Sequence, residues 1–361
     1  MVGMRDVAKK AGVSLSTVSL VVNGNGYVSD DMRERVRKAM QALNYVPNEL
    51  ARNLYHDCTN LVGVIVPTIR HPFFATFTAH LQHALAAQGL RTMLCSTADE
   101  ADGEIQYVDM LRRHMMDGIV MCAHTSHPGD YWTSIHRPIV AFDRVLGDGI
   151  SSIGSDHEQG GRLIAQMLIR NGAKHVVMIG GPRDQFFDLA ARGEVEEGPF
   201  DLGKTTFPTV RYYLTLEQEL TSAGVKYEYV EAGEVMDFAG YHRAVSNALD
   251  KVTTDGVDAV VSSDIGAALC VREAMRRHIS IPRDLQIIAY DGTYLTDLAG
   301  MKMTAVAQNF DKIAQVAVGN IVRAIAKEGD AKADTTSATG RKPYEPDVLI
   351  PVTRKLGDTT R

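Results

Sequence analysis

The chain is poor in cysteine, and none of its cysteines is placed for a staple or a metal. Cys58, Cys95, Cys122 and Cys270 are scattered without a CxxC pair, which argues against structural disulfides and zinc. No apolar run approaches a membrane span, and the N-terminal stretch has no apolar secretory segment, so a cytoplasmic chain is expected. Neither GxSxG nor HExxH occurs, and no Cys/His spacing supports a nucleophile and its base. His124 and His127 lie near Cys122 on one loop, with no further ligand at metal spacing, so surface or capping roles fit them better. No leucine heptads follow Pro351, so a tetramer-forming tail is not expected. These absences predict neither a cofactor nor a metal, and no enzyme.

What is present is bulk and an uneven charge. With 361 residues and 45% apolar content, the chain can bury a large core spread over more than one domain. Its totals are 38 basic and 44 acidic residues, a net charge of −6. Residues 1–60 hold eight Lys/Arg and six Asp/Glu, leaving 30 basic and 38 acidic residues for the rest. Phosphate binding therefore belongs to a small, mildly basic head, while the acidic body is repelled by DNA. Such a head needs contacts beyond charge to bind tightly.

Local signals in the head are dense. Asp6–Ala11 reads as a short helix with Val7 and Ala11 inward, broken by Gly12. Ser14 can cap a second helix from Leu15 to Asn23. Two short helices around a tight Gly-containing turn form a helix-turn-helix, whose second helix fits a DNA major groove. Leu15, Ser16 and Thr17, with Leu20 one turn on, would then face the bases. A third helix starts at the cap Ser29, with Asp30 and Asp31 at its positive end and Val36, Met40 and Leu43 as its apolar stripe. The bland alternative is an unspecialised three-helix bundle. Beyond Pro47, the segment Glu49–Tyr55 is too short for a stable helix in water, with Leu50 and Leu54 on one face and Ala51 beside them. Paired in a minor groove it could order, with Leu54 as an apolar wedge between base steps; otherwise it is a plain linker.

The strings DVAKKAGVS, TVS and VNG, then VS, MRERV and the spaced L, Y, PN, AR and L, resemble the lactose/galactose repressor family of bacterial transcription regulators. The resemblance continues through NLVGVIVP, HPFFA, YDG and VAQNF, and so covers nearly the whole chain. It implies that Leu15, Ser16 and Leu20 read a major groove and that Leu54 wedges into the operator's centre. The candidate DNA-binding set is Leu15, Ser16, Thr17, Leu20, Asn23, Tyr45, Ala51 and Leu54. Leu20 departs from the family, which usually places Arg or another polar reader there.

From residue 61 apolar strands alternate with helical stretches, the pattern of a doubly wound parallel sheet. Strands are expected at Leu61–Pro67, Arg91–Ser96, Gly118–Cys122 and Ile139–Phe142, with helices at Phe73–Ala87 and Ile105–Met115. A second series begins with helix His157–Asn171 and strand His175–Gly181, then helix Tyr212–Ala223 and strand Lys226–Glu231. Helix Phe238–Leu249, strand Ala259–Ser263, helix Ile265–Arg277 and strand Leu285–Tyr290 complete it. Ala305–Asn309, helix Lys312–Ala326 and strand Val348–Pro351 would cross back between two lobes, and polar Glu328–Arg341 reads as a flexible loop. The expected fold class is an all-α helix-turn-helix domain (1–46) and a hinge helix with linker (47–60), then a two-lobed α/β domain (61–361) like the periplasmic sugar-binding fold. The first lobe would take about 61–156 plus 308–335, and the second about 157–307 plus 336–361.

Ligands of open α/β sheets bind at the carboxyl ends of the strands. Phe73 and Phe74, Asp143 and Arg144, Asp264, and Asp291 all follow expected strands. Carboxylates and Arg bind vicinal hydroxyls, and an aromatic face covers a sugar ring. Asp264 opens a helix and also suits a cap. The resemblance implies effector contacts from Phe74, Asp143, Arg211 and Asp291, with Asp156 at the interlobe crossover. Arg183–Val210 is longer than the family's usual connection, and Val235 stands where relatives often carry an aromatic. Within that insertion, Gly198–Thr205 matches GxxxxGK[ST], but acidic ARGEVEE precedes it and Pro208 follows, so no strand–loop–helix cradle is expected.

The reading is a ligand-responsive repressor of carbohydrate-use genes, binding a pseudo-palindromic double-stranded operator as a homodimer, with a sugar effector between its lobes and no membrane partner. A sugar-binding protein without a DNA role would not need residues 4–54. A nucleotide-driven enzyme would rest on 198–205 alone.

Overall fold

The computed structural model describes residues 2–24, 26–47, 58–98, 103–125, 127–187, 205–234, 238–329 and 346–361. The expectations for Ala51 and Leu54, for residues 198–204, for Val235 and for residues 330–341 lie outside them. The chain divides into two units, Met1–Thr59 and Asn60–Arg361.

In the first unit, α1 (Met4–Ala11) stops where Gly12 turns left-handed at φ 65°. Ser14 Oγ accepts the Thr17 N–H at 3.0 Å and so starts α2 (Leu15–Asn23), while Ser29 caps α3 (Asp30–Ala42). Val7, Ala8, Ala11, Val18, Val36 and Ala39 form the core, with Tyr45 packed on its edge. Arg35 of α3 donates to the carbonyls of Ala11 (2.7 Å) and Gly12 (3.1 Å), capping α1 with a cation at its negative end.

The second unit contains two six-stranded sheets. The first lobe runs β1 (Leu61–Val66), α4 (Pro72–Ala87), β2 (Arg91–Ser96), α5 (Ile105–Arg112), β3 (Gly118–Met121), α6 (Gly129–Thr133), β4 (Ile139–Phe142) and β5 (Ser151–Ser155). The second runs α7 (His157–Arg170), β6 (His175–Gly180), α8 (Val210–Ser222), β7 (Lys226–Glu231), α9 (Phe238–Thr254), β8 (Ala259–Ser263), α10 (Asp264–Arg276), β9 (Gln286–Asp291), α11 (Leu295–Leu298) and β10 (Thr304–Ala307). The chain then returns through α12 (Phe310–Gly329) and β11 (Val348–Ile350) before ending in β12 (Thr353–Lys355). Spatial orders are β11-β5-β4-β3-β1-β2 and β12-β10-β9-β8-β6-β7. All ladders are parallel except β10 with β12.

Strands buried on both faces read as continuous apolar runs, as in VGVIV of β1 and HVVMIG of β6. Each sheet carries a core on either side: Phe77, Leu81, Phe142 and Ile321 on one face of the first, Met116, Trp132 and Ile139 on the other. One expectation is corrected. The second lobe was to begin again near 336, yet Val348–Ile350 pairs with Ile153–Ser155 in the first lobe's sheet, and only Thr353–Lys355 joins the second. The three crossovers therefore fall at 155–157, 307–310 and 350–353.

Candidate functional site

The carboxyl ends of β4 and β9 deliver one carboxylate from each lobe. Asp143 sits at φ 48° and Asp291 at φ 117°, both outside the backbone regions that non-glycine residues favour. Such strain costs of order 1–3 kcal/mol per residue and persists where the surroundings over-determine it. Here they do. Asp143 Oδ1 accepts the Ser155 N–H at 3.1 Å, and its Oδ2 meets His157 Nε2 at 3.0 Å. His157 Nδ1 lies 2.7 Å from the Tyr290 hydroxyl, so the imidazole links a first-lobe carboxylate to a second-lobe strand. A parallel chain runs from Ser155 Oγ to Gln308 Oε1 (2.5 Å) and from Gln308 Nε2 to Asp291 Oδ1 (2.9 Å). Both chains are buried and cross between lobes at the crossovers.

Above this floor lies a cavity of about 320 Å³ between the lobes. Phe73, Phe74 and Phe142 line it from the first lobe; Phe207, Tyr212, Tyr213 and Tyr290 line it from the second, with Asp143, Arg144, Asp291 and Gln308 as polar groups. Tyr212 stacks on Tyr290 at 3.9 Å with 7° between planes, and Phe73 stacks on Phe142 at 5.9 Å. Two apolar walls with carboxylates at their seam can hold a ring by its faces and its hydroxyls by their edges. Arg144 lies against Asp143, donating Nη1 to the Asp143 carbonyl at 2.7 Å and Nε to the Ala123 carbonyl at 3.3 Å.

Phe73, Phe74, Asp143, Arg144 and Asp291 are thus brought together, and three other expected residues are not. Asp156 caps α7 by accepting the Gln159 N–H at 2.8 Å, and with Arg211 it borders a separate cavity of about 20 Å³. Asp264 accepts the N–H groups of Gly292 (3.2 Å) and Thr293 (2.5 Å), securing the turn after Asp291 without lining the cavity. The helix carrying Arg211 begins at Val210, two residues earlier than expected, and this turns Tyr212 and Tyr213 to the cavity. Sequence reasoning missed those tyrosines, His157 and Gln308. His124, considered there for a metal, instead stacks on Phe207, and no group of three His, Cys, Asp or Glu among the described residues is placed for a metal.

Burial governs the ionisation of the floor. Asp291 is held well above the ordinary carboxylate range, first by burial and then by Asp264 and Asp143, with Gln308 opposing. Burial also raises Asp264, to about 6, against its two backbone hydrogen bonds. His71, which caps α4, is lowered to about 4 by burial and stays neutral. Buried Cys122 and Cys270 are pushed upward too, so neither is a reactive thiolate. A carboxyl with a raised folded pKa binds its proton more tightly when folded. Its stabilising contribution is complete below about 4, the unfolded value, and is lost as pH rises through about 6. Asp264→Asn should therefore flatten the fall of melting temperature between about pH 4 and pH 6. An unchanged slope in the variant would contradict this account of the pair.

On the head, Leu15 and Leu20 are 44% and 37% exposed along α2, with Ser16 exposed beside them. Thr17 is half-buried and its hydroxyl bonds Ser14 at 2.8 Å, while Asn23 Nδ2 donates to Ser19 at 3.2 Å. Tyr27, in the loop before α3, is 94% exposed and was not singled out from sequence.

A helix-turn-helix unit together with two α/β lobes around a polar and aromatic cavity defines a ligand-responsive DNA-binding regulator. Residues 3–48 match the model of bacterial regulatory proteins of the lacI family. Residues 59–194 match periplasmic binding proteins and the sugar-binding domain of that family, and residues 165–342 a periplasmic binding protein-like domain. The sucrose operon repressor of Streptococcus mutans is 31% identical over 89% of this chain and 92% of its own. The ribose operon repressor of Halalkalibacterium halodurans is 30% identical over 91% and 92%. A Lac repressor structure bound to ONPG superposes with a TM-score of 0.75 at 20% identity, over 99% of both chains. The chain belongs to the lacI family of bacterial regulatory proteins, and it is a transcriptional repressor, not an enzyme. Among the described residues, no helix is long and apolar enough to cross a membrane.

Proposed function

We propose that the interlobe cavity binds an unphosphorylated sugar, and that this binding controls the affinity of a cytoplasmic homodimer for a pseudo-palindromic operator. The observation that carries the reading is the convergence of Asp143 and Asp291, from opposite lobes, on one cavity with aromatic walls. A ligand touching both lobes stabilises their closed arrangement, and a regulator responds to ligand only through such a difference between states. Named relatives that regulate sucrose and ribose operons support a carbohydrate. The charges favour an uncharged one: among the described lining residues, the carboxylates of Asp143 and Glu234 outnumber the one Lys/Arg side chain, that of Arg144, and Asp291 adds no cation to hold a phosphate. A phosphate dianion there would be repelled.

The test is a thermal-shift panel of D-ribose, sucrose, D-glucose and D-fructose beside ribose 5-phosphate and glucose 6-phosphate, repeated with operator DNA. A free sugar should raise the melting temperature and its phosphate should not. Stabilisation by a phosphate alone would reverse the assignment.

On the head, Leu15, Ser16, Thr17 and Leu20 supply the reading face, with Asn23 and Tyr45 at its flank. An apolar Leu20 favours a thymine methyl over a guanine edge. Leu20→Arg should move that base pair's preference from T·A toward G·C by about 1–3 kcal/mol in a binding-site selection. No change at any single position would count against this docking.

A further inference from the structure

The lobes are also joined away from their crossovers, by ring contacts between loops of the two lobes. In sheet order, the crossover chains leave from β4, β5, β9 and β10. His124 follows β3, one strand beyond β4 in the first lobe, and Phe207 lies between β6 and α8, with β6 two strands beyond β9 in the second. Their rings stack face to face, 4.2 Å between centroids and 9° between planes, and His124 Nε2 lies 3.4 Å from the Thr206 hydroxyl. Further out again, Arg70 after β1 lies over the ring of Phe238, which opens α9 after β7, at 5.0 Å.

The foot that carries Phe207 is built to hold it. Thr205 is buried, its hydroxyl donates to the Gln185 carbonyl at 2.6 Å, and it accepts the Phe207 N–H at 2.9 Å. The hydrogen bond from Thr205 to Gln185 ties together the two ends of the insertion, so Phe207 is placed by described residues on either side of it. Pro208 restricts the next backbone angle. Both His124 and Phe207 line the cavity, so their stack forms part of its wall.

We infer that Phe207 and His124 form an aromatic clasp between the lobes, which closes the cavity on the side away from the crossovers and governs ligand exit. The stack is already formed in this structure, and rotation about the crossovers separates loops farther from them most, so this contact must part before the lobes open. A bound ring is then retained by a stack that must part before it can leave, and an aromatic pair of this kind adds to closure beyond its buried area. The inference rests on the cavity being the effector site. The insertion thereby gains a role through its foot, where Thr205, the last residue of the GxxxxGK[ST] match, serves as a backbone tie.

The clasp can be observed without any ligand. In the full-length protein with 13C-labelled histidine, the ring signals of His124, assigned by His124→Gln, should lie upfield of those of the exposed histidines, because Phe207 shields them. Phe207→Leu should return them to the exposed position, and Phe207→Tyr should not. His124 signals that ignore Phe207→Leu would overturn the clasp. In stopped-flow dissociation of sucrose or D-ribose, whichever binds, Phe207→Leu should release the sugar up to about tenfold faster, as expected when an aromatic pair worth up to about 1.4 kcal/mol is lost. An unchanged release rate would overturn its control of exit. If neither sugar binds the unaltered protein, the sugar reading fails, while the histidine signals still decide the clasp.

Discussion

Gly161→Val is expected to lower the unfolding free energy by about 3 kcal/mol and to weaken effector binding with it. A β-carbon at residue 161 would sit 2.5 Å from the Tyr212 carbonyl and 2.8 Å from Thr215 Cβ, against the neighbouring helix α8 itself. Backbone cannot swing aside as a flexible side chain does. The higher helix propensity of valine returns well under 1 kcal/mol, so the clash decides the sign. The adjacent Gly160 is under similar constraint, because a β-carbon there would lie 2.7 Å from Tyr290 Cε2. Together the two glycines make the slot in which Tyr212 stacks on Tyr290, and helix packing thereby sets one wall of the cavity. Denaturant titration of the variant checks this, and an unchanged midpoint would show that α8 yields without cost.

His157→Leu is expected to destabilise the chain by about 2–6 kcal/mol, because two buried groups lose a partner at about 1–3 kcal/mol each. The imidazole is buried and meets Asp143 at 3.0 Å and Tyr290 at 2.7 Å, and leucine can serve neither. Asp143→Asn in the same chain should recover part of the loss, since an uncharged amide is less costly to leave unpaired than a carboxylate. The two substitutions should therefore be non-additive. Simple additivity in thermal unfolding would mean that His157 does not hold Asp143.

What could be read from the residues was what short-range rules govern. Ser14, Ser29 and Gly12 mark helix boundaries by local hydrogen bonding and backbone freedom, and the structure places them at caps. Apolar runs marked β1, β3, β4 and β6 because strands buried on both faces need no alternation. Ser151–Ser155 escaped notice because its burial comes from β4 and β11 and not from its own composition. Thr353–Lys355 is a three-residue edge strand with no pattern to detect.

The site divides along the same line. Asp143 and Asp291 were legible as polar residues directly after apolar strands. Arg211 was expected at the effector from the resemblance alone, across a connection longer than the family's, and the first turn of α8 presents Tyr212 and Tyr213 to the cavity instead. His157 and Gln308 look like surface polar residues in sequence. Only the meeting of two lobes at the crossovers makes them partners of Asp143 and Asp291.

The most direct test of control by the cavity is an anisotropy titration of operator DNA, with and without the sugar that stabilises the protein, for the unaltered chain and for Asp143→Ala and Asp291→Ala. The unaltered protein should show a sugar-dependent change in operator affinity. Both variants should keep the sugar-free affinity and lose the change, because their carboxylates belong to the second unit and the reading face to the first. Variants that respond to sugar as the unaltered protein does would place the effector elsewhere and contradict the account.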